Sequence, residues 1–318
     1  MVLPSSSNAV GSALVNKLLT NISLNYVPDS ESYISEKLLP SQNVVQWSGL
    51  IGQYGKEHLI IENDLAGGDT PYPRVTSVSR LSQSYQLKRH GLSQVISEET
   101  FANVESPFEP RSDATIALTT RLWLSKERSL ASTLTDTAVI TQNVTLAGTD
   151  QYSDYANSDP IGDFRTAREA IYSAVCVPAD TAIVPYEVWE WLRYHPALVD
   201  NIKYVTNASG GITAQQLADA MGVRRILMPR SCFNSANEGQ TPVMAPTWGK
   251  DIVFCVAPAS PQIMQTTLGY RFQFGTPRRV FNKVVDNPPN SEMILVDDTY
   301  QQVLTEVNAA YLIKDAVA

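Results

Sequence analysis

The segment from residue 44 to residue 88 places the strongest limit on this chain. "VVQWSGLIGQYGKEHLII" and "RVTSVSRLSQSYQLK" both read as extended arms, joined by the turn-rich "ENDLAGGDTPYP". Val75, Val78, Leu81, Tyr85 and Leu87 are the only apolar residues among the fifteen of the second arm. Two strands this polar cannot bury enough surface to hold themselves together. The hairpin must pack on its own domain or lie across another subunit, and composition leaves both open.

The rest of the chain can build the core that the hairpin lacks. It has 318 residues, 43% of them apolar, which suffices for one large or two ordinary domains. Charged residues make up only 18%, against about 25% in typical soluble domains. Much of the polar surface is therefore Ser, Thr, Asn and Gln, which costs less to desolvate and suits burial against other chains. The net charge is −8, and no basic cluster exceeds pairs such as Lys88-Arg89, Arg224-Arg225 and Arg278-Arg279. A dedicated nucleic-acid binder would carry a cationic stripe, so that class is disfavoured.

Cys176, Cys232 and Cys255 are odd in number and widely spaced, as are His58, His90 and His195. The spacing supports neither a zinc site nor a disulfide scaffold, and the cysteines are expected to be buried or partly buried thiols. "MVLPSSSNAVGSALVNKLL" lacks a basic n-region and a sustained apolar run, so it does not read as a signal peptide. No stretch of ~18 apolar residues is present, and no membrane span is expected. A reducing cytoplasm fits these features.

Along the chain, residues 8–19 read as a short amphipathic helix, followed by polar, irregular sequence to about residue 43. Pro110 and the cap candidates Ser112 and Asp113 open a long helix over about 112–135. Its stripe is drawn through Ile116, Thr120, Trp123, Glu127, Leu130 and Leu134. Glu127 on that stripe reads as a carboxylate paired with an Arg or Lys, nearby or across an interface.

From Asp159 the pattern turns α/β. Asp159-Pro160 opens a helix whose buried face runs through Ile161, Phe164, Ala167, Ile171 and Ala174. "TAIVP" is a buried strand, Pro185 starts a Trp-rich helix, and Pro196 stops it. Thr213 caps "AQQLADAM", Gly222 supplies the left-handed residue after it, and "VRRILMP" and "IVFCVAP" are strands flanking a long loop. Residues 263–318 return to β patterning.

Chemistry is hard to place. Gly52-Gln-Tyr-Gly55-Lys56 fails as a phosphate loop, with Leu50 where the first Gly belongs and Glu57 where Ser or Thr belongs. Ser209 in "NASGG" lacks a nucleophile elbow. Asp69, Asp297 and Asp298 read as acidic turn residues, and "ENDLAGGD" does not match a calcium loop. No enzyme, cofactor or metal site is expected.

The ordered set of passages is the informative feature. "YQLKRHGLSQVISEETFANVESP", "DTAIVPYEVWEWLRYHPALVDNIKY", "GGITAQQLADAMGVRRILM", "APTWGKDIVFCVAP" and "AAYLIKDAV" together resemble major capsid proteins of tailed double-stranded DNA bacteriophages, of the Hong Kong 97 type. The resemblance covers about residues 20–318. It implies an α+β fold with an N-terminal arm (1–43), an extended β-hairpin E-loop (44–88) and a P domain with a spine helix (89–159). An α/β A domain (160–260) and further P-domain strands with the C-terminus (261–318) complete it.

The function so implied is self-assembly into hexamers and pentamers that form an icosahedral head around packaged DNA, bound without sequence specificity. The partners are other copies of the chain, a portal protein, a scaffolding protein and a cement or decoration protein, with no membrane. Assembly in the host cytoplasm and residence in the virion follow. Tyr54, Lys56, His58, Asp64, Arg74 and Arg80 on the hairpin, and Trp123 and Glu127 on the helix, are the expected subunit-interface residues. The acidic balance suits a wall that repels rather than binds phosphates. The arm begins almost at Met1, so a scaffold is expected to be separate or unnecessary, and mature particles to keep the arm nearly from Val2. Lys56 lies in the first arm, but no motif identifies a crosslinking Asn or carboxylate, so a non-covalent shell is expected. An encapsulin-like compartment and an unrecognised α/β enzyme remain the alternatives.

Overall fold

A 25-residue helix, Pro110–Leu134, joins two β-sheets and supplies buried residues to the core of each. The structure is a computed structural model that describes residues 14–29, 31–54, 80–104, 108–203, 211–259, 265–285 and 291–318. From the N-terminus, β1 (Leu14–Val15) leads to α1 (Lys17–Asn25), α2 (Ser35–Leu38), β2 (Ser41–Val44) and β3 (Ser48–Tyr54). β4 (Arg80–Gln86) and β5 (Lys88–Ile96) precede α3 (Glu98–Asn103) and the long α4 (Pro110–Leu134). Then come β6 (Asn143–Thr145), α5 (Pro160–Val175), β7 (Thr181–Ile183), α6 (Tyr186–Arg193), α7 (Pro196–Lys203) and α8 (Ala214–Met221). β8 (Arg225–Leu227), β9 (Cys232–Asn234), β10 (Met244–Pro246) and β11 (Ile252–Cys255) follow. β12 (Gly269–Phe274), β13 (Arg279–Val285), β14 (Ser291–Leu304) and β15 (Ala310–Lys314) end the chain.

The first sheet runs β1-β13-β14-β12-β2, with β5 on the other edge of β14. The 14-residue β14 pairs β13 along its first half and β12 along its second. The second sheet, β6-β15-β11-β7-β8, is covered by helices on one side and by α4 on the other. Strand periodicity explains how: Ile252 and Phe254 point to α5 and its neighbours, whereas Val253 and Cys255 point to Leu130 and Leu134. Both faces are dry, so β11 is continuously apolar. At ~1.5 Å per residue α4 is roughly 37 Å long. Leu118 and Leu122 pack on Val280, Ile294 and Val296 of the first sheet.

Several caps form where the sequence places them. Asp159 caps α5 with Pro160 at its first turn, and Thr213 and Gln216 make a reciprocal capping box on α8. Gly222 ends α8 at φ 64°, where a Cβ would collide with Arg168.

Elsewhere the structure corrects the sequence reading. Leu14–Val15 is a strand paired with β13, and α1 starts at Lys17, capped by Asn16, while residues 8–13 of the expected helix lie outside the described residues. Residues 31–44 are not irregular: Ile34, Leu38 and Leu39 are fully buried under α4 and the second sheet. α4 begins at Pro110 with Glu109 at its N-cap, and Ser112 only donates to Glu109 Oε2. Its buried face holds Trp123, Glu127, Leu130 and Leu134 of the expected stripe and also takes in Thr115, Leu118, Thr119, Leu122 and Lys126. Ile116 and Thr120 are only half-buried. Pro185 is the N-cap of α6 rather than its first turn, and Pro196 opens α7. Part of the expected loop after β8 is a small hairpin, β9 on β10. β6 and β15 lie outside residues 160–260, yet both pair into the second sheet with β11, β7 and β8.

Candidate functional site

Lys126 and Glu127 are neighbours on α4, both buried, and they meet opposite surroundings. Lys126 Nζ lies 3.0 Å from Asp298 Oδ2 and 3.3 Å from Glu36 Oε1, over the Tyr300 ring at 4.6 Å. Glu36 Oε1 also faces Arg271 Nη1 at 2.8 Å and Arg278 Nη1 at 3.4 Å. Gln273 Nε2 donates to Asp298 Oδ1 at 3.1 Å. On the opposite face of β14, Asp297 accepts from Arg89 at 2.7 Å and from Arg279 at 3.3 Å. Burial alone would lift the Glu36 carboxyl; the three cations around it more than compensate and hold it below the usual carboxylate range.

The contact of α4 with the first sheet therefore has an ionic middle. Glu36 comes from α2, Lys126 from α4, Arg271 from β12, Arg278 from the turn before β13 and Asp298 from β14. The group fastens the N-terminal segment, the long helix and the sheet to one another. Burying such ions carries a desolvation cost, so the layer fixes geometry more than it adds stability.

Glu127 has no cation within ion-pair distance among the described residues. Its carboxylate instead accepts from Trp248 Nε1 at 2.7 Å, from the Ser35 backbone N–H at 2.8 Å and from that of Ile34 at 3.2 Å. Burial pushes its pKa up despite these donors. Among the described residues its partners are three neutral donors rather than a nearby Arg or Lys.

Of the expected interface residues, Lys56, His58, Asp64 and Arg74 lie outside the described residues. Tyr54 and Arg80 face each other in the β3–β4 register. Trp123 and Glu127 are 4% and 0% exposed, so within a single chain they serve its own core rather than a neighbour's surface. Sequence reading missed Glu36, Arg271 and Arg278, and took Asp297 and Asp298 for turn residues. The available signal was "EMILVDDTYQQVL": a β-patterned run continues on both sides of the two aspartates, so they belong inside a strand.

The enzyme alternative has one geometric candidate, a buried Ser158–His195 contact of 2.9 Å between Oγ and Nε2. His195 Nδ1 accepts from the Ala197 backbone N–H, so the ring proton sits on Nε2 and donates to Ser158. Ser158 in turn donates to the Asp154 carbonyl at 2.5 Å. A serine placed this way, with the neighbouring ring donating to it, has no base to take its proton. A cavity of about 180 Å³ between α4 and the first sheet, lined by Lys88, His90, Ser129, Thr133 and Tyr300, is smaller than the ~300–1,000 Å³ of ordinary ligand pockets. Among the described residues, no group of three His, Cys, Asp or Glu could hold a metal ion, and no helix is long and apolar enough to cross a membrane. Cys255 is buried, but Cys176 and Cys232 are exposed, contrary to expectation.

The two-stranded β3–β4 sheet stands apart from both larger sheets. At its base Tyr85 stacks on Phe272, with ring centroids 5.2 Å apart, and Trp47 tilts against Phe274 at 5.6 Å. Val45 and Leu50 are left 90% and 72% exposed. A long helix bridging two sheets, a helix-covered second sheet and a separate two-stranded sheet make up an α+β fold.

In sequence the chain resembles a phage major capsid protein, and in fold it resembles phage capsid and phage-related proteins. It is 24% identical over 313 residues to the major capsid protein of Burkholderia phage BcepMu, covering 94% of this chain and 96% of that one. A phage-related protein of Bordetella bronchiseptica superposes with a TM-score of 0.73 at 23% identity, over 96% of this chain and 98% of its own. The capsid of cyanophage P-SCSP1u follows the same fold with a TM-score of 0.58 at 10% identity, over 91% and 90% of the two chains. No protein-family profile matches the sequence.

Proposed function

We propose that this chain is a phage major capsid protein that assembles into the hexamers and pentamers of an icosahedral head enclosing double-stranded DNA. The observation that carries the reading is the sequence similarity to a major capsid protein over 94% of this chain and 96% of that one. In this reading β3 and β4 are the base of the E-loop, α4 is the spine helix, the first sheet is the P domain and the helix-covered sheet is the A domain. Exposed Val45 and Leu50 then belong against a neighbouring subunit, as do the hairpin residues Tyr54, Lys56, His58, Asp64, Arg74 and Arg80. A portal protein, a scaffolding protein and a cement or decoration protein are the further partners, and the virion is its place of residence. The role is structural rather than enzymatic.

Purified full-length protein, followed by light scattering and electron microscopy, tests this. Closed shells built from hexamers and pentamers are expected, and DNA-filled, tailed heads when it is expressed with the rest of its phage. A stable small oligomer that never closes would refute the reading, and tailless shells holding a protein cargo would redirect it to a compartment.

A further inference from the structure

Three cations converge on one carboxylate oxygen, Glu36 Oε1, and among the described residues only Asp298 adds a second negative charge to this inner group. Lys126, Arg271 and Arg278 against Glu36 and Asp298 leave one positive charge unmatched. The three cationic side chains are 3%, 7% and 9% exposed, so solvent does little to screen that excess. Buried ions persist where their charge is balanced and their N–H groups are satisfied. Here the N–H groups are also short of acceptors. Arg271 Nε and Nη1 and Arg278 Nε are buried without a hydrogen bond. The Arg271–Glu36 contact is close enough for an ion pair, but its N–H is not aimed at the oxygen. The Trp123 indole N–H, on the ring that Arg278 covers at 4.8 Å, is unpaired as well.

Backbone strain points to the same place. Arg278 has φ 49°, a left-handed conformation that residues with a side chain adopt rarely and mostly under constraint. It directs the guanidinium inward, onto Glu36 and Trp123, rather than to solvent.

We propose that this group is an anion-binding site that takes one further oxyanion or carboxylate, held by the Arg271 and Arg278 guanidinium groups. Paired guanidinium groups present planar donor forks that suit the oxygens of either class. Glu36 is the most exposed member, at 29%, so the group meets solvent on its side. The anion is a free phosphate-like ion or the Asp or Glu side chain of a second copy of this chain. Only the second source rests on the capsid reading.

The test is thermal melting of the unassembled full-length chain in inorganic phosphate against sodium chloride at matched ionic strength. A specific site raises the midpoint with the logarithm of phosphate concentration, by roughly 2–4 °C once phosphate is well above its Kd. Arg271→Gln and Arg278→Gln should abolish the response, whereas Arg165→Gln, which breaks an exposed pair with Glu169 on α5, should retain it. Calorimetric titration of the wild-type chain with phosphate gives a variant-independent readout, with one ion bound per chain expected. Equal melting in the two salts, or no heat beyond the chloride control, overturns the site whatever the chain assembles into. Repeating the melt on assembled particles separates the sources: a surviving response means a free anion, and its loss means that a neighbour's carboxylate already occupies the arginines.

Discussion

The indole N–H of Trp248 donates to Glu127 Oε1 at 2.7 Å, joining residues 121 positions apart in sequence. The same carboxylate receives the backbone N–H groups of Ile34 and Ser35 at the start of α2. One acidic side chain on the long helix therefore pins both the N-terminal segment and the loop that precedes β11. Glu127→Ala would orphan three buried donors and open a cavity, at a cost of about 3 kcal/mol or more in chemical denaturation. Glu127→Gln keeps one acceptor oxygen and should cost clearly less. The pH dependence has a defined sign. Glu127 is raised above its ordinary value, so the folded chain takes up this proton before the unfolded chain does. The advantage of wild type over Glu127→Ala should therefore be greatest in acid and shrink as pH rises through the raised pKa.

Glu36 has the reverse dependence. Its carboxyl is held below its ordinary value, because the pull of Arg271, Lys126 and Arg278 outweighs the effect of burial. Its contribution is fully present above roughly pH 4.5 and is lost as pH falls through the lowered pKa. The stability gap between wild type and Glu36→Gln should be widest near neutrality and close on acidification. A gap that stays constant down to pH 3 in urea titrations would show that the three cations do not act on this group as the geometry indicates.

The α/β half was legible because its signals are local. Asp159-Pro160, the Thr213–Gln216 box and Gly222 act within one helical turn, and β7, β11 and β15 announce themselves as short apolar runs. The ionic layer was not legible because its members are remote: Arg271 and Glu36 meet only when β2 pairs with β12 and brings α2 alongside. Glu127 illustrates the limit. Helical spacing correctly put it inside, but its partners lie 92, 93 and 121 residues away, and spacing cannot name them.

The cysteines provide a direct check of burial. Cys176 sits exposed at the C-cap of α5 and Cys232 is exposed in β9, whereas Cys255 is buried between β7 and β15. Burial pushes the Cys255 thiol far above its ordinary pKa, which withholds the reactive thiolate. In the unassembled native chain a colorimetric thiol reagent should titrate two groups per chain promptly and the third only after denaturation. Three fast thiols would mean that the second sheet opens readily.

The hairpin is fastened to the body at Tyr85. Its ring stacks on Phe272 with an interplanar angle of 19°, inside a small cluster completed by Leu87 and Val303. Gly49 on the facing strand makes room for it: a Cβ there would lie 2.9 Å from Tyr85 Cε1 and from its hydroxyl. The Tyr85 hydroxyl reaches the Gln46 carbonyl only at 3.4 Å, so the ring rather than the hydroxyl provides the hold. Tyr85→Phe should therefore be nearly neutral, whereas Tyr85→Ala should cost on the order of 3 kcal/mol by emptying the cluster. Gly49→Val should act like the alanine variant, because its side chain displaces the ring. Amide hydrogen exchange on the unassembled chain locates the damage. Protection should fall across β3 and β4 and stay unchanged in α5 and α8, whose core contains none of these residues. Uniform loss of protection over the whole chain would show that Tyr85 supports the body itself and that the hairpin is no separable arm.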